Sequence, residues 1–164
     1  MDETTDYANS IADERHELHQ DHQSSRPLSV GYERVGIAGE MAFSHFSGLA
    51  ADLSARPGGD NGYDFILPLL FSVDVKTARK AGNLIQEQGA AFADIVVLAE
   101  FDDNTGKALL VGWEWGSVLK AAPVKDFGYK ILNHHIPRSK LRTMDSLSER
   151  MMSLRCSVSK ASER

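Results

Sequence analysis

Tyr63-Asp64-Phe65-Ile66-Leu67-Pro68-Leu69-Leu70-Phe71-Ser72-Val73-Asp74-Val75-Lys76 is the stretch whose reading decides the fold. Aromatic and β-branched residues dominate it and Pro68 interrupts them, which predicts a strand over 63–67, a bend at Pro68 and a second strand over 70–76. Side chains alternate across a strand, so Asp74 and Lys76, two apart, project from one face. If the two strands pair as an antiparallel hairpin, Asp64 lies beside Asp74. Two bare carboxylates at that separation repel, and the pair needs either a proton on one member or a cation between them. A hard, oxygen-ligated divalent ion such as Mg²⁺ or Mn²⁺ suits the pair. Lys76 next to them is placed to orient or help deprotonate an attacking water and to stabilise developing charge, which is a hydrolytic constellation. An isolated Asp-x-Lys is commonly a surface ion pair contributing at most about 1 kcal/mol. This one stands between apolar residues.

Upstream, residues 56–62 are dense in Pro, Gly, Asp and Asn and form a break. Before that break, Val35, Ala38, Ala42, Phe46 and Leu49 recur every three or four positions, so 31–53 is predicted as the first core helix. Asp60, within Gly59-Asp60-Asn61-Gly62, reads as a turn residue and as the fallback acidic ligand. Downstream, residues 79–88 are rich in helix formers and Gly89 is a plausible stop, so a helix is expected there. The apolar run 93–101 has strand length. It is followed by the turn Asp102-Asp103-Asn104-Thr105-Gly106 and another strand over 107–113. The order is then a helix, three or four strands broken by one helix, and a tail, which is an α/β arrangement.

The chain has 164 residues, of which 42% are hydrophobic, enough for one globular domain with flanking segments. No apolar run reaches the roughly 18 residues of a membrane helix, and the polar N-terminus lacks a signal-peptide pattern, so a cytoplasmic protein with no membrane partner is expected. Cys156 is the sole cysteine, which excludes an internal disulfide and a cysteine-rich zinc site. Net charge is -5 but unevenly spread. Met1 to Ser24 carries seven carboxylates against Arg15, whereas Lys125 to Arg164 carries nine Lys or Arg against four carboxylates. The expected organisation is an acidic arm over 1–25, a folded domain over 26–145 and a basic tail over 146–164. A basic segment near a metal site suits a polyanion such as DNA, with the acidic arm screening that surface when no substrate is present. A homodimer is compatible with this reading.

Asp64, nine intervening residues and then Asp74-Val75-Lys76 resemble the acidic-x(n)-(D/E)-x-K signature of the PD-(D/E)XK nuclease superfamily, in its phage and bacterial branches. Gly39-Glu40-Met41-Ala42-Phe43 is similar to the helical element that supplies a further glutamate in those enzymes. The resemblance covers roughly 31–113. Tyr63 stands where the family has proline, and Pro68-Leu69-Leu70-Phe71 is more apolar than the family's usual hairpin turn, which suggests core or a partner surface. The resemblance implies a restriction-endonuclease-like αβββαβ core, a central mixed β-sheet flanked by helices, with the site at the fork of the hairpin. It further implies metal held by Asp64, Asp74 and the main-chain carbonyl of Val75, with Glu40 as a third acidic residue and Lys76 activating water. The activity so implied is divalent-metal-dependent hydrolysis of DNA phosphodiesters. The runners-up are a non-catalytic nucleic-acid-binding or assembly subunit that keeps the fold, and a protein-binding module using the apolar Ile66–Phe71 surface.

Other residues admit simpler roles. His134 and His135 are adjacent on a predicted strand and face opposite ways, so they read as structural or DNA-facing rather than as a ligand pair. Trp113 and Trp115 read as core caps, with base stacking as the functional alternative. Glu87 and Gln88 fall where some family branches carry an extra site residue.

Overall fold

Ile95-Val96-Val97-Leu98-Ala99 has no polar side chain, and every one of these residues is buried. A strand of that kind requires cover on both faces. The computed structural model, which describes residues 31–51 and 62–162, with side chains up to 156, supplies it. The described elements are α1 (Tyr32–Ser47), β1 (Phe65–Ile66), β2 (Ser72–Ala78), β3 (Asn83–Glu87), β4 (Ile95–Asp102), β5 (Lys107–Trp115), α2 (Gly116–Lys120), β6 (Val124–Asp126), β7 (Leu132–Pro137) and α3 (Met144–Ser162).

The strands form two sheets, one in the order β1-β2-β4-β5 and one in the order β3-β7-β6. In the first, β1 and β5 are antiparallel to their neighbours while β2 and β4 run parallel. The fold is therefore α/β with a mixed sheet. Alternate residues of β4 enter different cores. Ile95, Val97 and Ala99 join Phe43, Phe65, Val73, Val75, Trp113, Leu147 and Met151 under α1 and α3. Val96 and Leu98 meet Leu84, Leu119 and Ile136 between the sheets.

Helix α1 lies on β2 along Val35, Gly39, Phe43 and Ser47, one residue per turn, all buried. The approach is closest at Gly39, where a Cβ would stand 1.9 Å from Thr77 Oγ1 and 3.1 Å from Thr77 Cβ. Gly48, at φ +71, donates its N–H to the Ser44 carbonyl at 2.8 Å and ends the helix. At the far edge, Trp113 and Arg142 exchange backbone hydrogen bonds of 3.0 Å each, and the Trp113 indole N–H is shared between the Thr143 carbonyl and Ser146 Oγ. These bonds seat α3 on the sheet.

The hairpin is found where the sequence predicts it, with Phe65 opposite Val73 and Ile66 opposite Ser72. The strands 93–101 and 107–113, with the turn between them, also appear, shifted or extended by two residues. Three expectations are corrected. The first helix ends at Ser47 rather than near 53, and its buried face passes through Gly39 rather than Ala38 and Ala42, because close backbone approach and not side-chain size sets the contact. Residues 79–88 are not helical. Leu84 and Gln86 are buried at period two, and β3 pairs with β7, a tertiary partner that outweighs local helix propensity. The order is thus not αβββαβ, since no helix separates β3 from β4. The boundary expected at 146 falls inside α3, whose Leu147 and Met151 belong to the core. Leu69 and Leu70 are exposed, while Phe71 contacts Trp115 at a ring separation of 5.9 Å. The arm over 1–25 and Asp60 lie outside the described residues.

The Gly39 contact makes a signed prediction. Gly39→Ala should destabilise the protein by roughly 1–3 kcal/mol through overpacking. Gly36→Ala on the same helix, where a Cβ meets nothing within 4 Å, should stabilise it by about 0.5–1 kcal/mol. Urea denaturation of the two variants checks this, and a loss of stability in both, or in neither, would overturn the account of the α1–β2 contact.

Candidate active site

The pairing of β1 with β2 is only two residues long, and its end builds the site. The Asp64 backbone N–H still donates to the Val73 carbonyl at 2.7 Å. One step further along β2, the Val75 N–H addresses the same edge but finds no strand there. The Asp64 carboxylate replaces it, Oδ2 accepting from Val75 N–H at 2.7 Å. In a regular strand the N–H and C=O of one residue point to the same side, so the Val75 carbonyl also faces the fork.

Asp74 is buried and Lys76 half-buried, and they share a face as their spacing requires. Lys76 Nζ lies 2.6 Å from Asp74 Oδ2. Asp64, Asp74 and Lys76 line one cavity of about 240 Å³, together with Gly62, Tyr63, Gln86 and two alanines. Glu40 is buried on α1 and close enough to act electrostatically on Asp64, but it is not part of the cavity lining. The structure therefore brings three of the four nominated side chains into one pocket and leaves Glu40 outside its lining.

Burial pushes the Asp64 carboxyl up from 3.8 to about 7, the negative charges of Asp74 and Glu40 adding to the effect against the Val75 N–H and Lys76. Desolvation wins because the charged form loses more in hydration than one N–H and one partly exposed ammonium return. Among the described residues no three His, Cys, Asp or Glu side chains already form a group able to hold a metal ion. The donors that are present are all oxygens. A carboxylate offers about four acceptor positions, and the bonds to Val75 N–H and Lys76 use one oxygen of each aspartate. Asp64 and Asp74 thus offer carboxylate oxygens, the donor type a hard cation takes, and no histidine or cysteine lies in the lining.

No family model, curated protein or solved structure matches this chain. What the pocket does is therefore argued from its own chemistry.

Gln86 is the residue that sequence reasoning missed. With 79–88 read as a helix, attention fell on Glu87 and Gln88. On strand β3 it is Gln86 that turns inward, its Nε2 donating to the Ala91 carbonyl at 2.8 Å while it lines the pocket beside Lys76. The signal was the alternation of Leu84 and Gln86 with their flanking residues. His134 and His135 are structural: their Nδ1 atoms reach the Ala122 and Pro123 carbonyls at 3.1 and 2.9 Å. Trp113 is core, and Trp115 contacts Phe71 and the Arg150 guanidinium.

The raised Asp64 pKa fixes a sign. From pH 3.8 to about 7 the folded protein holds a proton that the unfolded chain has released, so this group favours folding most at low pH and the benefit is lost as pH rises through 7. Asp64→Asn can still accept from Val75 N–H and carries no charge. In EDTA it should be more stable than wild type at pH 8, by on the order of 2 kcal/mol, with the gain shrinking towards pH 5. Chemical denaturation at the two pH values measures it, and an Asn variant that is equally destabilised at both would contradict the assignment.

Proposed function

We propose that this protein is a divalent-metal-dependent nuclease that hydrolyses DNA phosphodiester bonds, with a restriction-endonuclease-like arrangement of the hairpin fork. The observation that carries the reading is the convergence of Asp64, Asp74 and Lys76 in one pocket at the point where β1 leaves β2, two carboxylates and a cation where a strand would otherwise run. Nothing in the packing of the fold requires that combination. Its electrostatic cost is visible in the raised Asp64 pKa, and perturbed carboxylates in a cleft are characteristic of sites that bind or react.

Mg²⁺ or Mn²⁺ would be held by Asp64, Asp74 and the Val75 carbonyl, with Glu40 adding negative charge nearby, and when bound it supplies charge stabilisation for a phosphoryl group that gains negative charge. Lys76 binds and orients. Held by Asp74 at 2.6 Å with over a third of its side chain exposed, it can present its ammonium to a phosphate oxygen or to a water aligned for attack. Gln86 adds an amide beside it, fixed by the Ala91 carbonyl. Rate enhancements for such esters require a barrier reduction on the order of 20 kcal/mol, so the donors must be preorganised. Asp74, Val75 and Lys76 stand on β2 and Gln86 on β3, while Asp64 lies just before β1, tied to β2 through the Val73 carbonyl and the Val75 N–H. The reading places the protein in the cytoplasm.

Purified protein incubated with supercoiled plasmid and with single-stranded circles should cut in Mg²⁺ or Mn²⁺ and not in EDTA. Asp74→Ala and Lys76→Ala should each lower the rate by at least about 10²-fold. Absence of cutting by wild type on every substrate and metal would sink the nuclease and favour a subunit that binds nucleic acid without turnover.

A further inference from the structure

A second and larger cavity, of about 590 Å³, opens from the acidic pocket. The two share Lys76, Gln86 and Ala90 in their walls. Thr77, Ala78 and Leu98 of the first sheet form one side, and Asn83, Ile85 and Glu87 of β3 form the other. Lys80, Gly82 and Phe127 complete the lining. The cleft is thus the gap between the two sheets. It exists because β3, rather than a helix, connects β2 to β4.

Phe127 reaches the cleft from the turn between β6 and β7, and that turn is hydrogen-bonded within itself. The Asp126 carboxylate accepts the backbone N–H groups of Gly128, Tyr129 and Lys130 at 2.8, 3.0 and 3.1 Å. The phenyl ring is held on two sides, with Lys125 Nζ 5.5 Å from its centroid and the His135 ring edge-on at 5.5 Å. His135 is itself fixed by the Pro123 carbonyl. Two more lysines, Lys76 and Lys80, belong to the lining itself, against the one carboxylate of Glu87.

We infer that this cleft receives an unpaired nucleotide of the substrate strand, its base against Phe127 and its phosphates towards Lys76 and Lys80, so that the strand enters the acidic pocket in single-stranded form. The inference rests on the phosphodiester-hydrolysis reading of that pocket and adds the substrate's strand state. The size argues for it. The cavity lies within the roughly 300–1,000 Å³ of small-molecule sites, room for a base and its sugar, whereas a duplex, whose major groove alone is about 12 Å wide, cannot enter. The chemistry agrees. A fixed aromatic ring takes any base by stacking, the Asn83 and Gln86 amides offer hydrogen bonds to a base edge, and lysines answer the phosphates. An apolar ligand has no use for the amides and lysines, and an acidic peptide has none for the ring.

The test is binding to the full-length protein in EDTA, where turnover is blocked. Fluorescence anisotropy compares a single-stranded oligonucleotide, its duplex and a mononucleotide, and 2-aminopurine within the single strand reports stacking. Single strand should bind at least tenfold tighter than duplex, with quenched 2-aminopurine. Phe127→Ala should cost about tenfold of that affinity and restore the fluorescence, while Phe127→Trp keeps both. Thermal melting identifies any variant that fails to fold, and Phe127→Leu, which keeps the apolar volume without the ring, then carries the comparison. Equal affinity for single strand and duplex, a mononucleotide bound as tightly as the oligonucleotide, or a Phe127→Leu variant with wild-type affinity and quenching would each overturn the inference. A protein that binds single strands through Phe127 but never cuts keeps the cleft and loses the nuclease. One that cuts duplex and single strand alike, indifferent to Phe127, keeps the nuclease and loses the cleft.

Discussion

A buried backbone N–H must find an acceptor, and at Val75 the neighbouring strand has already turned away. The Asp64 carboxylate fills the position. That single bond extends the hydrogen-bond ladder by one rung with a side chain in place of a backbone, and so converts the end of a hairpin into a fork lined by Asp64, Asp74 and Lys76. Because the bond anchors Asp64 inside the sheet edge rather than at its surface, the carboxyl is desolvated beside a second aspartate and its pKa climbs to about 7. A fold selected for stability alone has a simple remedy, an amide or an apolar residue at 64. Retaining the acid at a net electrostatic cost is the kind of local violation that functional sites show.

The second constraint is the two-sided burial of β4. Parallel neighbours such as β2 and β4 are usually joined by a helix that covers the sheet. Here the connection runs through β3, which belongs to the other sheet, and cover comes from a three-stranded layer with α2. A sheet laid against a sheet does not close completely along its edge, and the gap left beside β3 is the cleft that adjoins the acidic pocket. The order β3-β7-β6 then sets the β6–β7 turn two strand spacings, roughly 10 Å, from β3, within reach for Phe127 to close the far end. The same topological choice gives the pocket its inward amide, Gln86.

Much of the site was legible in the sequence because strand periodicity is rigid. Once Pro68 marks the bend, the same-face relation of Asp74 and Lys76 and the juxtaposition of Asp64 follow with little freedom. Glu40 is less legible: a helix presents a glutamate in many directions, and this one is buried without lining the pocket. The stretch 79–88 was misread because its composition favours a helix and its strand partner, β7, lies about 50 residues away in the chain. No local pattern records a partner that distant. The α1 face was misjudged for a different reason: Gly39 contributes no hydrophobicity, yet its missing Cβ is what lets the helix reach Thr77. The sequence of α3 reads as a basic tail because its charges are conspicuous, whereas what docks it is Leu147 and Met151.

Net charge is a poor guide to what this surface attracts. The chain is acidic overall, but many of its described carboxylates are engaged locally. Glu100, Asp103 and Glu114 pair with Arg138, Arg79 and Arg142. Asp94 accepts from the Ser72 backbone N–H and hydroxyl, and Asp102 and Asp126 gather turn N–H groups. The two pairs with partly exposed carboxylates, of Glu100 and Asp103, contribute little stability, but each pair shortens the reach of a negative charge. At the mouth of the cleft Lys80 and Glu87 belong to the lining and Lys125 stands beside Phe127, while Lys76 is shared with Asp74. Screening confines surface charges to about 8 Å at physiological salt, so this local balance, and not the -5 of the whole chain, is what an approaching phosphate meets.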